Sequence, residues 1–392
     1  MLSAQKYDIA VVGAGAAGIC AAAAAASRGA SVLLIESGAR LGGSVTLAMH
    51  RCLCGLYSAQ PRHPSETLNG GLQRELVTRM WRQAPTAVIP RQFGKACVLE
   101  FPPTGWESAL ASMCAVPGID LHMNTRAVAV ERSGNRIVSL AVEGELAGTF
   151  SIAKVIDCSG GGSVLQLLGE DVMQPMEPES TKMLGGYAIR WGGLPADAEP
   201  LRLQVPYVLN LAVAGGLLPH TAKFATFFPG PGAGEGVLKL AIPPKGFSTE
   251  EVEPFVAGTI QVLRERLPAF SPATIIEMSP RALSREGRRL RGKYTVTEQD
   301  VLSARKHTPD AVHACWPIEH WDVKNGPTYI YPPPGDHYDI PPAALQSAVI
   351  DNLYAAGTCL SATRAAAAST RAGGICLATG GKAGELAAEK PE

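Results

Sequence analysis

Apolar positions gather at the start of the chain into unbroken runs rather than a one-sided stripe. Tyr7-Asp8-Ile9-Ala10-Val11-Val12 leads into Gly13-Ala14-Gly15-Ala16-Ala17-Gly18; an alanine-rich stretch follows, and a second apolar run ends at Ile35-Glu36. Short apolar runs bounded by glycine predict strands buried on both faces, with a helix over the alanines between them. Further on, a helix is expected near 71–83, and residues 119–123 and 127–131 alternate as strands do. Ser133-Gly134-Asn135-Arg136 predicts a hairpin turn into a returning strand at 137–142, and 154–157 a strand entering Gly160-Gly161-Gly162. From about Gln174 to Pro342 the pattern turns rich in Pro and Gly. Short strands are expected there at 186–191, 224–228 and 237–242, with two helices. One covers 249–266; the other opens on a capping box with Thr297 as N-cap and Asp300 three residues on. The chain returns at 352–357 as a short buried strand and ends in a helix over 373–388.

The opening segment carries chemistry. G-x-G-x-x-G between a strand and a helix is the fingerprint of a dinucleotide site. Gly13 permits the turn, Gly15 lets backbone approach a pyrophosphate, and Gly18 lets helix and strand pack closely. Phosphates would rest on the helix N-terminus, where free N–H groups favour anions. Glu36, 18 residues beyond Gly18, is placed to accept from ribose hydroxyls. The uncharged stretch 9–26 has the length of a membrane span, but its glycines stand at the fingerprint positions, so a βα unit is expected instead.

Composition narrows the class. With 392 residues, 46% hydrophobic and 18% charged, the chain can bury a substantial core of two packed domains. Lys plus Arg equals Asp plus Glu at 35 each, which argues against nucleic-acid or anionic-membrane partners. The nine cysteines form no C-x-x-C pair, so neither a disulfide framework nor a zinc site is indicated, and a cytoplasmic location is expected. No metal site is expected, and oligomeric state leaves no signal.

The order of elements points from dinucleotide to FAD. After its first βαβ unit the chain makes a hairpin, returns to a glycine-ended strand, leaves for a separate region and re-enters near the C-terminus. The expected fold is therefore an α/β, two-domain FAD-binding (Rossmann-like) flavoprotein with an inserted α+β substrate domain. Residues 1–170 and 345–392 would form the discontinuous FAD-binding domain, and 171–344 the substrate domain.

The sequence resembles the bacterial FAD-dependent oxidoreductases of the glutathione-reductase/succinate-dehydrogenase-like superfamily. Four stretches carry the resemblance: the fingerprint with Leu41-Gly42-Gly43-Ser44-Val45-Thr46; Val155-Ile156-Asp157-Cys158-Ser159-Gly160, similar to "IDATGD"; Arg285-Glu286-Gly287-Arg288-Arg289 with 292–300, similar to "RESRRIxGxYxLTxxD"; and 352–361 through Arg371-Ala372-Gly373-Gly374, similar to "NLxxAGRxxS…R". Thr358, Gly161 and Gly287 depart from those patterns, which have Arg, Asp and Ser there. The resemblance implies FAD held by Gly13, Gly15, Ala16, Ala17, Gly18, Glu36, Ser37, Arg40, Gly42, Gly43, Ser44, Val45, Thr46, Val128, Ser159, Gly160, Gly357, Arg371, Gly373, Gly374 and Ile375. Non-covalent attachment is expected, although Cys52 and Cys54, just past the flavin-proximal turn, could in principle carry a link.

Gly230–Gly236 lies between two short strands with no helix after it, so it reads as a hairpin loop, and no second dinucleotide fold is left for NAD(P)H. The expected activity is a dehydrogenase or oxidase removing two electrons from a small organic substrate: an alcohol, an amine, or a saturated C–C or C–N bond. The alternatives are a flavin monooxygenase or halogenase, which Trp316-Pro317-Ile318 only superficially suggests, and a non-catalytic FAD-binding or tRNA-modification-type factor. His320 is the candidate base, against a structural histidine bonded to a carbonyl. Arg285, Glu286, Arg288 and Arg289 form either a solvated helix face or a buried ion-pair network, with Arg288 gripping an anionic substrate group in the second case. Tyr338 either borders the pocket or simply packs.

Overall fold

Strands Ile119–His122, Val32–Ile35, Lys6–Val12 and Gly148–Asp157 lie side by side in parallel, in that order, in a computed structural model that describes residues 6–178, 181–230 and 232–389. The long strand Gly148–Asp157 is shared along its free edge. Its first half pairs antiparallel with Arg136–Gly144, and its second half pairs parallel with Leu353–Ala355. Asn352 fastens this junction, its buried amide bonding Ile137 N–H, Ile137 C=O and Ala153 C=O. The register aligns Val12 with Ile35 and with Asp157, and Asp157 with Ala355. The carboxyl ends of four parallel strands therefore share one rim, the edge where open α/β sheets bind ligands.

The alanine run is the helix Ala16–Ser27, apolar all round because it is enclosed between this sheet and the last helix, Gly373–Ala388. A Cβ on Gly380 or Gly384 would come within 2.0 and 2.1 Å of the Ala17 and Ala21 carbonyl oxygens. Only small residues on both helices allow that approach. Among the described residues no helix is long and apolar enough to cross a membrane.

A second, antiparallel sheet runs Thr226–Pro229, Gly236–Ile242, Gly185–Gly192, Thr274–Met278. Strand alternation splits its faces. Leu238, Leu240, Ile189 and Trp191 pack on the helices Leu201–Ala214 and Thr249–Arg266, with Trp191, Phe227 and Phe270 in edge-to-face contact. Ala188 and Val237 look the other way, onto Met49. Two ribbons complete this part: Val312–Ala314 with Tyr338–Ile340, and Ile318–Asp322 with Gly326–Ile330.

The helix Leu201–Ala214 is absent from the sequence reading. Pro206 sits inside it, and proline argues against a helix interior even where early-turn N–H groups have few obligations. Pro103–Cys114 and Arg364–Thr370 are further unread helices. The expected capping box at Thr297 is present, but the helix it opens is short, Glu298–Leu302. The 224–228 strand starts at Thr226 because His220–Phe224 forms a 3-10 turn. Pro229 pairs with Gly236, so the glycine-rich segment between them joins two strands of a hairpin.

Candidate functional site

The glycine fingerprint forms a cradle in which backbone meets backbone. Gly13 adopts φ +99°, and a Cβ there would lie 2.6 Å from the Cys158 carbonyl oxygen. A Cβ on Gly18 would come 1.7 Å from the Gly13 oxygen. Gly15 bridges to Gly42, Gly42 N–H donates to Ala14 C=O at 2.9 Å, and a Cβ on Gly43 would sit 3.1 Å from Gly15 Cα. The helix Ala16–Ser27 begins here without a side-chain cap, leaving its first N–H groups, those of Ala16 and Ala17 included, to an anion. These features fit the diphosphate of FAD.

Glu36, directly after the second strand, accepts from Ala14 N–H and Gly38 N–H at 2.8 Å each. Those two bonds aim its carboxylate at the rim and leave lone pairs for ribose hydroxyls. Ser37 lines a cleft beside it with Asn124 and Arg126. Val128 falls in a bulge of Thr125–Ser133, where the register skips from Ala127 to Ala129. Its backbone groups are outside the ladder and available to an adenine edge.

Asp157, fully buried, closes the rim from the other side. One oxygen takes Ser159 N–H and Oγ–H, and the other takes Val164 and Leu165 N–H. This pins the loop of Ser159 and Gly160, whose carbonyl accepts from Thr358 Oγ at 2.9 Å. Gly357, at φ +64°, and Gly374, whose Cβ would strike Gly55 backbone at 2.7 Å, bring Gly373 and the last helix's N-terminus to the same rim. Ser44 is exposed.

Four residues of the expected cofactor set point elsewhere. Thr46 spends its hydroxyl on Leu41 C=O and the Trp106 indole N–H. Val45 and Ile375 are core side chains. Arg40 holds Glu107 and Glu277, one with each arm, and so ties the helix Pro103–Cys114 to the second sheet.

Past the glycine turn stands a cationic wall. Lys239 projects from the cleft face of Gly236–Ile242 and donates to His50 Nδ1 at 2.8 Å. His50 is accessible yet ringed by Lys239, Arg285 and Arg371, as a side chain on the wall of a cleft is. The Lys239 charge, then burial, hold its imidazole well below the usual range, so it is neutral. Burial pulls Lys239 itself down to about 8, with Cys52 and Cys54 opposing. Arg285 donates to Leu184 C=O at 2.6 Å and stacks 3.9 Å above the Trp321 ring. Burial, then Arg371, lower it to about 9, which keeps it charged at neutral pH. Arg371 donates to Glu319 C=O at 3.1 Å and stands 3.6 Å from the Glu319 carboxylate. That carboxylate accepts from both Trp316 and Trp321. Burial pushes it up, but Arg371 and the two indoles outweigh burial and hold it below 4.5.

The remaining candidates separate. Arg285 through Arg289 lie in irregular backbone outside any helix, so they form no helix face. Glu286 pairs with Arg364, and Arg289 with Glu177 at 2.7 Å, so both are spent in ion pairs at the edge of the cleft. Arg288 lies on the glycine loop, donating to Gly161 C=O at 3.2 Å, away from Arg285. His320 is one residue out of phase with Glu319 and Trp321, so its ring leaves the opposite face of the ribbon. Tyr338 is fully buried and bonded to Ser369 at 2.7 Å, which makes it a packing residue. His50, Lys239 and Glu319 escaped the sequence reading. The one signal was Lys239, a lone charge inside the apolar strand Gly236–Ile242.

The sequence matches the model of the FAD dependent oxidoreductase family over residues 8–188 and 245–390. No functionally curated protein matches it significantly. The fold is similar to a geranylgeranyl bacteriochlorophyll reductase-like protein from Thermoplasma acidophilum, at 12% identity over 98% of this chain and 78% of that one, TM-score 0.51. Weaker likenesses are L-proline dehydrogenase from P. horikoshii (13% identity, 98% of this chain, 93% of that one, TM-score 0.45) and an anhydrotetracycline hydroxylase from Streptomyces rimosus (17%, 74% and 54%, TM-score 0.46). The chain spans about half the length of that hydroxylase. The glycine cradle, the shared strand rim and the family match over most of the chain agree: this protein is a member of the FAD-dependent oxidoreductase family.

Proposed function

We propose that this enzyme is a dehydrogenase or oxidase that removes two electrons from a small organic substrate carrying an anionic group, with oxygen or another acceptor closing the cycle. The carrying observation is the charge of the cleft wall. Arg285 and Lys239 have no carboxylate within ion-pair distance among the described residues, and Arg371 shares the single carboxylate of Glu319. Bound FAD supplies the two-electron acceptor. In this reading residues 1–170 with 345–392 hold the cofactor, and 171–344 cover it as a substrate domain. Gly13 to Gly18 and Glu36 hold the diphosphate and ribose, Val128 the adenine, and Gly42, Gly43, Gly160, Gly357, Gly373 and Gly374 the flavin end.

Arg285 and Arg371 grip the substrate anion through planar forks, which suit a carboxylate. The proton released with the hydride equivalent goes to the neutral form of Lys239 Nζ. Its pKa of about 8 suits a base working near neutrality. His50 positions that amine.

The test is anaerobic mixing of the FAD-loaded enzyme with 2-hydroxy and 2-amino carboxylates and with their methyl esters, following flavin absorbance. Bleaching by free acids and not by esters is expected. Equal rates with the esters would remove the anion assignment, and fast bleaching by NADPH alone would remove the substrate as electron donor.

A further inference from the structure

Away from the cleft, two strands distant in sequence bring three ligand-type side chains together. Val312–Ala314 pairs antiparallel with Tyr338–Ile340, and the register sets His313 directly opposite Asp339. His337, two residues before Asp339, projects from the same face. His313 Nδ1 is 2.8 Å and His337 Nε2 3.5 Å from the same Asp339 oxygen, and the two rings lie 4.4 Å apart. One donor atom from each residue falls within 4.8 Å of the others. A tetrahedral ion with bonds of about 2.1 Å has ligand-to-ligand edges of roughly 3.4 Å. The observed spacings bracket that edge.

The supports of the three side chains are already in place. Asp339 is buried, and its second oxygen accepts the His307 backbone N–H at 2.8 Å. Asn69 clips the His313 backbone from both sides, at 2.9 and 2.8 Å. The nearby cation Lys306 is bound to Asp336 at 2.6 Å, so its charge is offset. A purely structural cluster would need only the His313–Asp339 bond. It leaves the His337 ring, which makes no hydrogen bond among the described residues, aimed at a carboxylate oxygen already taken.

We infer that His313, His337 and Asp339 bind one divalent first-row transition ion of the zinc type, with a water completing the set on the open side. Two imidazoles and a carboxylate are the donor types such ions take. Binding replaces the His313–Asp339 contact with bonds to one shared ion and clamps the two strands.

The experiment uses tag-free, FAD-loaded protein stripped with a chelator. Zn2+ is titrated by calorimetry, and Co2+ by absorption as a report on ligand type. One ion per chain is expected, with a thiolate-free tetrahedral Co2+ spectrum. His337→Ala and His313→Ala should each weaken Zn2+ binding about tenfold or more while retaining FAD. His337 is partly exposed, so its loss leaves the core intact. Absence of binding, unchanged affinity in either variant, or a thiolate charge-transfer band placing Co2+ on cysteine would each overturn the assignment.

Discussion

Glu319→Gln removes the carboxylate that pairs with the half-buried Arg371. At 3.6 Å and an effective dielectric constant of about 20, its attraction for Arg371 alone is roughly 4–5 kcal/mol. Part of that is returned, because the burial cost of the carboxylate also disappears. Breaking a buried pair by removing one partner nevertheless costs about 3–5 kcal/mol, since the other charge stays behind. The two residues are only 16–17% exposed, so solvent screening does not erase this. The Gln side chain also turns an N–H2 toward Trp316 or Trp321, each of which needs an acceptor. We expect the variant to lose about 3 kcal/mol in urea unfolding, with an unchanged slope. Because the folded carboxyl titrates below 4.5, the wild-type advantage is present in full above that pH. It narrows as pH falls through the lower folded value. If the arginines take carboxylates, acetate in place of chloride should restore more stability to the variant than to wild type. A loss below about 1 kcal/mol, or an equal acetate effect on both proteins, would refute the reasoning.

Gly18→Ala drives a methyl to within 1.7 Å of the Gly13 carbonyl oxygen, so the turn must move. The variant should purify without flavin absorbance while wild type retains it, and normal FAD content would count against the cradle. Turnover should rise with pH and level off above about 8, because the neutral amine of Lys239 is the active form. Lys239→Met should lower the rate about a hundredfold or more and abolish that inflection; an inflection surviving the substitution would place the base elsewhere. Acid precipitation should leave FAD in the supernatant, because burial raises the Cys52 and Cys54 thiols away from the nucleophilic thiolate. A yellow pellet would contradict this.

Much of the cofactor half was legible because its signals are local. Gly13, Gly15 and Gly18 stand at fixed spacing in one strand–turn–helix, and the approach of Gly18 to Gly13 lies within that turn. Glu36 follows from the length of one helix and one strand, Gly134 and Asn135 from a two-residue hairpin, and Thr297 from a cap three residues long. Pro206 is a local signal against the helix Leu201–Ala214, and tertiary burial overrides it. The substrate side was legible only as residue types. Choosing His320 over Glu319 depends on strand parity, where one residue reverses the face.

By itself, then, the sequence determined the glycine fingerprint with its strand–turn–helix frame and the family, since these are written in residue types at short spacings. Only the tertiary structure decided that His50 meets Lys239 across 189 positions, that Arg371 meets Glu319, and that His313 faces Asp339. Those meetings arise from strand register and from one sheet closing over another. A side chain's chemistry there is set by neighbours that no local spacing encodes.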